Sequence, residues 1–276
     1  MRRLADQTVD GDETVQHTVL ESWGATDVGM KRSLNEDVFL VDEDLGVYLV
    51  ADGMGGHAAG EVASRLAAEE IVRNLSDHTT VDNETWPEHW NMARSATANL
   101  LVDAILAGHD RVTRAVRQDS DLRGMGTTVV VAMHPPNSRT LIVCHVGDSR
   151  AYRLRRNQIE LLTSDHSWVH EQVAAGFLTE EAARSHPLKN VVTQALGGTT
   201  DPRVDILETE LDDGDLYLLC SDGLNSMLTD EDIAEILRAG DPLETTARGL
   251  IAAANEQGGH DNVSVVLLRP HSSDER

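Results

Sequence analysis

The sequence predicts an α+β protein built on antiparallel sheets. Three observations carry the prediction. Helical spacing is grouped toward the start and the end of the chain, strand-like apolar runs cluster between, and Pro135-Pro136-Asn137 separates two of those runs in the manner of an antiparallel hairpin. A doubly wound parallel sheet would instead alternate strand and helix throughout.

The elements follow in order. Residues before His17 are polar and acidic and read as a tail, so the chain divides into a tail over 1–20, one domain over 21–270 and a second tail over 271–276. Val38-Phe39-Leu40-Val41 and residues 47–51 are strand-like. Over 60–75, Val62, Ala63, Leu66, Ala67, Ile71, Val72 and Leu75 share one helical face, with Glu61, Arg65, Glu69 and Arg73 on the other. A second helix is expected over about 87–117, since Pro87 suits a first helical turn. Strands follow at 127–133, 140–146 and 216–220, helices at 231–238 and 243–257, and a strand at 263–268. No repeat of fixed period and no low-complexity linker interrupts them.

Composition narrows the function. The chain has 276 residues, 40% of them hydrophobic, enough for a sizeable core. Its 47 acids against 23 bases leave a net charge of -24, which repels nucleic acid and anionic lipid. Cys144 and Cys220 lie inside apolar runs, as buried reduced thiols do, and form no Cys-x-x-Cys pair. No apolar stretch reaches membrane-span length, and the two arginines near the start precede no apolar segment of the kind a secretion signal needs. A cytoplasmic protein is expected, with a monomer as the default.

Four aspartates stand at the ends of strand-like runs: Asp52, Asp148, Asp222 and Asp261. Asn35-Glu36-Asp37 adds two acids before another run. Scattered over separate loops, these acids would be caps and solvated charges. Gathered in one pocket, with no lysine among them, they would repel and raise one another's pKa, and divalent cations would remove that conflict. Oxygen-only ligands favour magnesium, manganese or calcium over zinc. Two such metals about 3.5–4 Å apart make a hydrolase centre. Arg32, four residues before Glu36, could supply a guanidinium for phosphate oxygens. The run from Ala51 through Gly53, Gly55 and Gly56 to His57 lacks the ending of a P-loop and the dinucleotide fingerprint. His57, His166, His186 and His260 show no zinc-type spacing, and neither Ser149 nor Ser221 sits in a nucleophile elbow.

Several motifs occur in order: Arg32-Ser33-Leu34-Asn35-Glu36-Asp37, Ala51-Asp52-Gly53-Met54-Gly55-Gly56-His57, Gly124-Met125-Gly126-Thr127-Thr128, Val146-Gly147-Asp148-Ser149-Arg150-Ala151-Tyr152, Ser221-Asp222-Gly223-Leu224 and Asp261-Asn262-Val263-Ser264. Together they resemble the PPM family, the metal-dependent protein phosphatases of type 2C, in its bacterial branch. The resemblance covers about 22–268. It implies two stacked antiparallel sheets flanked on both sides by helices, a four-layer αββα sandwich, with a flap over about 165–190 beside the active site. It implies hydrolysis of phosphoserine and phosphothreonine in proteins by water activated between two Mn2+ or Mg2+ ions, in opposition to a serine/threonine kinase. It also implies roles. Asp52 would bridge the metals, the Gly53 carbonyl would ligate one, Asp222 and Asp261 would complete a site, and Glu36 and Asp37 would act near the other, partly through water. Asp148 with Asp222 would hold a weaker third metal, and Arg32 would bind phosphate.

One position departs from the pattern. Some relatives carry His directly after the Asp-Gly pair as general acid, and here Met54 stands there. A thioether donates no proton, so the expected acid is a metal-bound water. In the flap, Val169, Val173, Ala174, Phe177 and Leu178 suggest a small helical face, and its exposed residues are expected to select the phosphoprotein. A binding module without turnover would show degenerate carboxylates, and a small-phosphoester hydrolase an enclosing insertion. The sequence has neither.

Overall fold

The computed structural model describes residues 18–55, 59–79, 90–198 and 200–272. Along the chain run β1 (Thr18–Asp27), β2 (Asp37–Asp42), β3 (Val47–Met54), α1 (Ala59–Thr79), α2 (Ala96–Gln118), β4 (Gly126–Thr127), β5 (Val129–Met133), β6 (Thr140–Val146), β7 (Arg150–Arg155) and β8 (Gln158–Leu161). Then come α3 (Trp168–Ala174), α4 (Glu180–Arg184), β9 (Asp205–Glu210), β10 (Leu216–Cys220), α5 (Asp222–Asn225), α6 (Asp230–Arg238), α7 (Leu243–Glu256) and β11 (Val263–Ser272).

The strands form two sheets in which every named pairing is antiparallel. One runs β1-β11-β10-β7-β8 and the other β2-β3-β5-β6-β9, with β4 beside β3. The central strands are apolar on both faces because both faces are covered. In β3, Val47, Leu49 and Ala51 pack with Ala63, Ile71, Leu101 and Ile105 of α1 and α2. The alternate residues Tyr48 and Val50 meet Tyr217, Leu219 and Val266 of the other sheet. On the far side, Leu218, Cys220, Val265 and Leu267 pack under Ile233 and Leu237 of α6 and Leu250 of α7. The three apolar clusters thus define four layers, αββα. Each fully buried leucine or valine among them contributes roughly 1.5–3 kcal/mol. Cys144 and Cys220 are free and buried in different outer clusters, so they cannot pair.

Several boundaries differ from those read in the sequence. β1 and β11 extend past 21 and 270, since Thr18 pairs with Ser272 at the open end of the ladder. The second helix begins at Ala96, not near 87, because Ser95 caps it by accepting from the Ala98 amide. Pro87 and the preceding stretch from 80 lie outside the described residues. The run over 127–133 is interrupted at Thr128, whose amide donates to the Asp52 carbonyl at 2.9 Å. Strands β1, β8 and β9 escaped notice because they are edges and carry charged residues there. β7 is central yet holds Arg150, Arg153 and Arg155, each bonded to side chains nearby.

Candidate active site

The site forms where the ends of β2, β3, β6, β10 and β11 meet. Asp37 opens β2 and is the direct cross-strand partner of Asp52 on β3. Past Asp52 the backbone is pinned from two sides. The Gly53 amide donates to the Glu36 carbonyl at 3.1 Å, and the Thr127 hydroxyl donates to the Asp52 carbonyl at 2.8 Å. A Cβ on Gly53 would lie 2.2 Å from the Gly60 carbonyl oxygen and 2.5 Å from that of Glu36, so only glycine admits this approach. Ser64 of α1 donates to the same Glu36 carbonyl at 2.6 Å. From the opposite sheet, Ser221 precedes Asp222 and donates to Asp37 Oδ2 at 2.7 Å.

Asn262 ties the entering loop to this frame. It is buried, accepts from the Glu36 amide at 2.8 Å, and donates to the carbonyls of Val28 and Leu34 at 3.0 and 2.9 Å. Its predecessor Asp261 meets Arg32, with Nη2 2.8 Å from Oδ2.

A pocket of about 280 Å³ is lined by Arg32, Glu36, Asp52, Gly53, Asp148, Asp222 and Asp261, together with Met54, Gly55, Thr128, Asn190 and Val192. Seven of the eight site residues read from the sequence therefore converge. Asp37 does not line the pocket. It sits buried beside Asp52 as its cross-strand partner, with Oδ2 held by Ser221. Thr128, Asn190 and Asn262 were not singled out from sequence, although Thr128 and Asn262 belong to the quoted motifs and Asn190 closes the flap. Ser149 and Ser221 are bonded to Thr128 and Asp37, which gives both a structural role. His186 stacks on Trp168 with ring centroids 4.9 Å apart, and His57 lies outside the described residues.

Burial followed by the neighbouring Asp37, Asp222 and Asp148 raises Asp52 well above the usual carboxylate range. Burial is also the main cause that pushes Asp37 up to about 7, Asp148 to about 8 and Asp222 to about 6, with nearby carboxylates adding to it. Five carboxylates line the pocket against one guanidinium, which Asp261 already occupies. Hard divalent cations fit this oxygen-only donor set, whose excess of negative charge no protein cation balances.

Residues 30–259 match the family model for protein phosphatase 2C. The chain belongs to the protein phosphatase 2C family. Membership identifies it as a metal-dependent protein phosphatase. Among curated relatives, the serine/threonine phosphatase stp of Listeria welshimeri is 37% identical over 254 residues, covering 88% of this chain and 93% of its own. The crystal structure of the Mycobacterium tuberculosis serine/threonine phosphatase PstP/Ppp superimposes with a TM-score of 0.78 at 34% identity, covering 91% of this chain and 98% of that one. A PstP catalytic domain solved with two manganese ions gives a TM-score of 0.75 at 34% identity, covering 92% and 99%. The likeness shows the αββα layers of this protein phosphatase 2C chain to be the fold of its relatives over the covered residues.

Proposed function

We propose that this phosphatase hydrolyses phosphoserine and phosphothreonine in proteins, with Glu36, Asp52, Asp222 and Asp261 and the Gly53 carbonyl holding two manganese or magnesium ions. The observation that carries the assignment is the convergence of carboxylates from five separate stretches onto one small pocket with a single arginine. When bound, the two metals would supply a hydroxide near neutral pH and neutralise charge on the phosphoryl group.

The residues of the chain do the rest. Arg32 is half exposed at the rim and offers a planar fork to two phosphate oxygens once the substrate competes with Asp261. Thr127 and Thr128 both bond the Asp52 backbone carbonyl, which fixes the point on β3 from which its carboxylate projects. Asp37 flanks Asp52 as its cross-strand partner, and Asp148 and Asp222 form a third, weaker cation position. Met54 lines the pocket but has no proton to give, so the leaving alkoxide takes its proton from water. Phe177 and Leu188 of the flap, with Val191 just after it, are exposed apolar residues suited to a protein substrate. The enzyme would oppose a serine/threonine kinase in signalling in the cytoplasm. No helix among the described residues is long and apolar enough to cross a membrane.

Phosphate release from a phosphothreonine peptide tests the reading. Turnover with manganese that disappears with chelator and in Asp222→Asn supports it. A folded, manganese-loaded protein with no turnover would mark a binding module instead.

A further inference from the structure

Asp148 reaches the pocket from a turn whose geometry depends on a histidine outside the pocket. Gly147, just before it, has φ +106, and a Cβ there would lie 2.6 Å from the Thr128 side chain. Both backbone polar groups of Gly147 are taken by one residue. Its amide donates to His166 Nδ1 at 3.1 Å, and its carbonyl accepts from the His166 amide at 2.9 Å. His166 is 3% exposed and stacks on His145, 4% exposed, with ring centroids 4.7 Å apart.

The hydrogen bonds define the ring's proton. Nδ1 accepts from Gly147, so in the neutral ring the proton is on Nε2. That nitrogen faces Asp205 Oδ2 at 3.4 Å. An aspartate opposite Nε2 favours this tautomer and keeps Nδ1 free to accept.

We propose that His166 is a positioning residue: it clamps Gly147 and thereby aims the Asp148 carboxylate into the pocket, with Asp205 holding the ring in the required tautomer. The proposal rests on the assignment of Asp148 as a cation ligand.

The same three side chains, His145, His166 and Asp205, bring ligand atoms within 4.8 Å of one another, a spacing that would also suit zinc. The bonding opposes that use. Ligation through His166 Nε2 would put a proton on Nδ1, against the Gly147 amide. It would also displace Arg203, whose Nη2 is 3.4 Å from Nε2 and whose Nε is 2.8 Å from Asp205 Oδ1.

The experiment compares the native protein with Asp148→Asn, His166→Ala, His166→Asn and the double variant His166→Ala with Asp148→Asn. Three quantities are read: manganese binding by calorimetry, the manganese concentration for half-maximal hydrolysis of a phosphopeptide, and hydrogen exchange at the Gly147 amide. His166→Ala should weaken the weakest manganese event by about 10–100-fold, as loss of a ligand's supporting partner does, and speed Gly147 exchange. His166→Asn, whose Oδ1 stands near the Nδ1 position, should restore most of both. In the Asp148→Asn background, His166→Ala should add nothing to the manganese effect. Equal losses in both backgrounds, or unchanged Gly147 exchange, would overturn the proposal. If Asp148→Asn itself leaves manganese binding unchanged while Gly147 exchange still rises in His166→Ala, the ligand assignment of Asp148 has failed and the aiming role with it, leaving only the clamp. Should His166→Ala not fold, His166→Gln, which moves the acceptor to the ε position, replaces it with the same expectations. An additional equivalent of zinc bound by the native protein and lost in His145→Ala would overturn the proposal in favour of a metal site.

Discussion

Arg32 and Asp261, 229 positions apart, form an ion pair across the mouth of the acidic pocket, with Nη2 2.8 Å from Oδ2. The pair joins the candidate phosphate ligand to a candidate metal ligand. In this arrangement the two functions compete for the same carboxylate, and cation binding at Asp261 would release the guanidinium for substrate.

Arg32→Ala should therefore lower kcat/KM for a phosphopeptide by about 10–100-fold, the scale of a lost charge-assisted hydrogen bond, mainly through KM. Arg32→Lys should recover only part, because an ammonium lacks the planar fork. Manganese affinity should hold or rise, since Asp261 loses its competitor. Steady-state kinetics and calorimetry check both, and an unchanged KM in Arg32→Ala would remove Arg32 from the phosphate site.

The buried acids make the metal-free chain sensitive to pH. Asp222, Asp37 and Asp148 titrate at about 6, 7 and 8 when folded, against about 3.9 when unfolded. Their folded values are raised, so the folded state binds more protons between these limits. Stability is fully present below the unfolded value and is lost as pH rises through the folded ones. With chelator, the urea midpoint should fall between about pH 4 and about pH 8, and Asp222→Asn should flatten that fall and be more stable than native at the upper end. With manganese, which binds the folded carboxylates, native should regain stability and Asp222→Asn should not. A metal-free midpoint that is flat with pH, or identical slopes in the two proteins, would contradict this account.

Asn262 is a structural hub of the site without lining it. Asn262→Ala removes the acceptor for the Glu36 amide and the donors to Val28 and Leu34. Three buried bonds at about 1 kcal/mol each give a loss of about 3 kcal/mol, measurable by urea unfolding. Because the loop carrying Arg32 and Glu36 is freed, KM should rise as well. A loss below about 0.5 kcal/mol, the range of ordinary surface changes, would show that the loop is held by other contacts.

The legible part of the fold was its centre. Runs such as Leu216–Cys220 and Thr140–Val146 appear in the structure at those same limits, because strands buried on both faces must be continuously apolar. The edges were less legible, since β8 and β9 carry charges that read equally well as loop. In the site, Asp52, Asp148 and Asp222 stood out because each follows an apolar run and Asp261 because it precedes one, and that signal is local.

Sequence alone determined the residue types of the site, the glycines that let backbone approach, the helical and strand periods, and the resemblance that joins them. Tertiary structure decided which acids face the pocket. The register of β2 against β3 set Asp37 opposite Asp52, and the Asp37 carboxylate is bonded to Ser221 and does not line the pocket. It also decided that Arg32 meets Asp261 and that His166 holds Gly147. These are distances between segments remote in sequence. Local periodicity reports which face of an element is buried, and only the packing of one sheet on the other determines what that face meets.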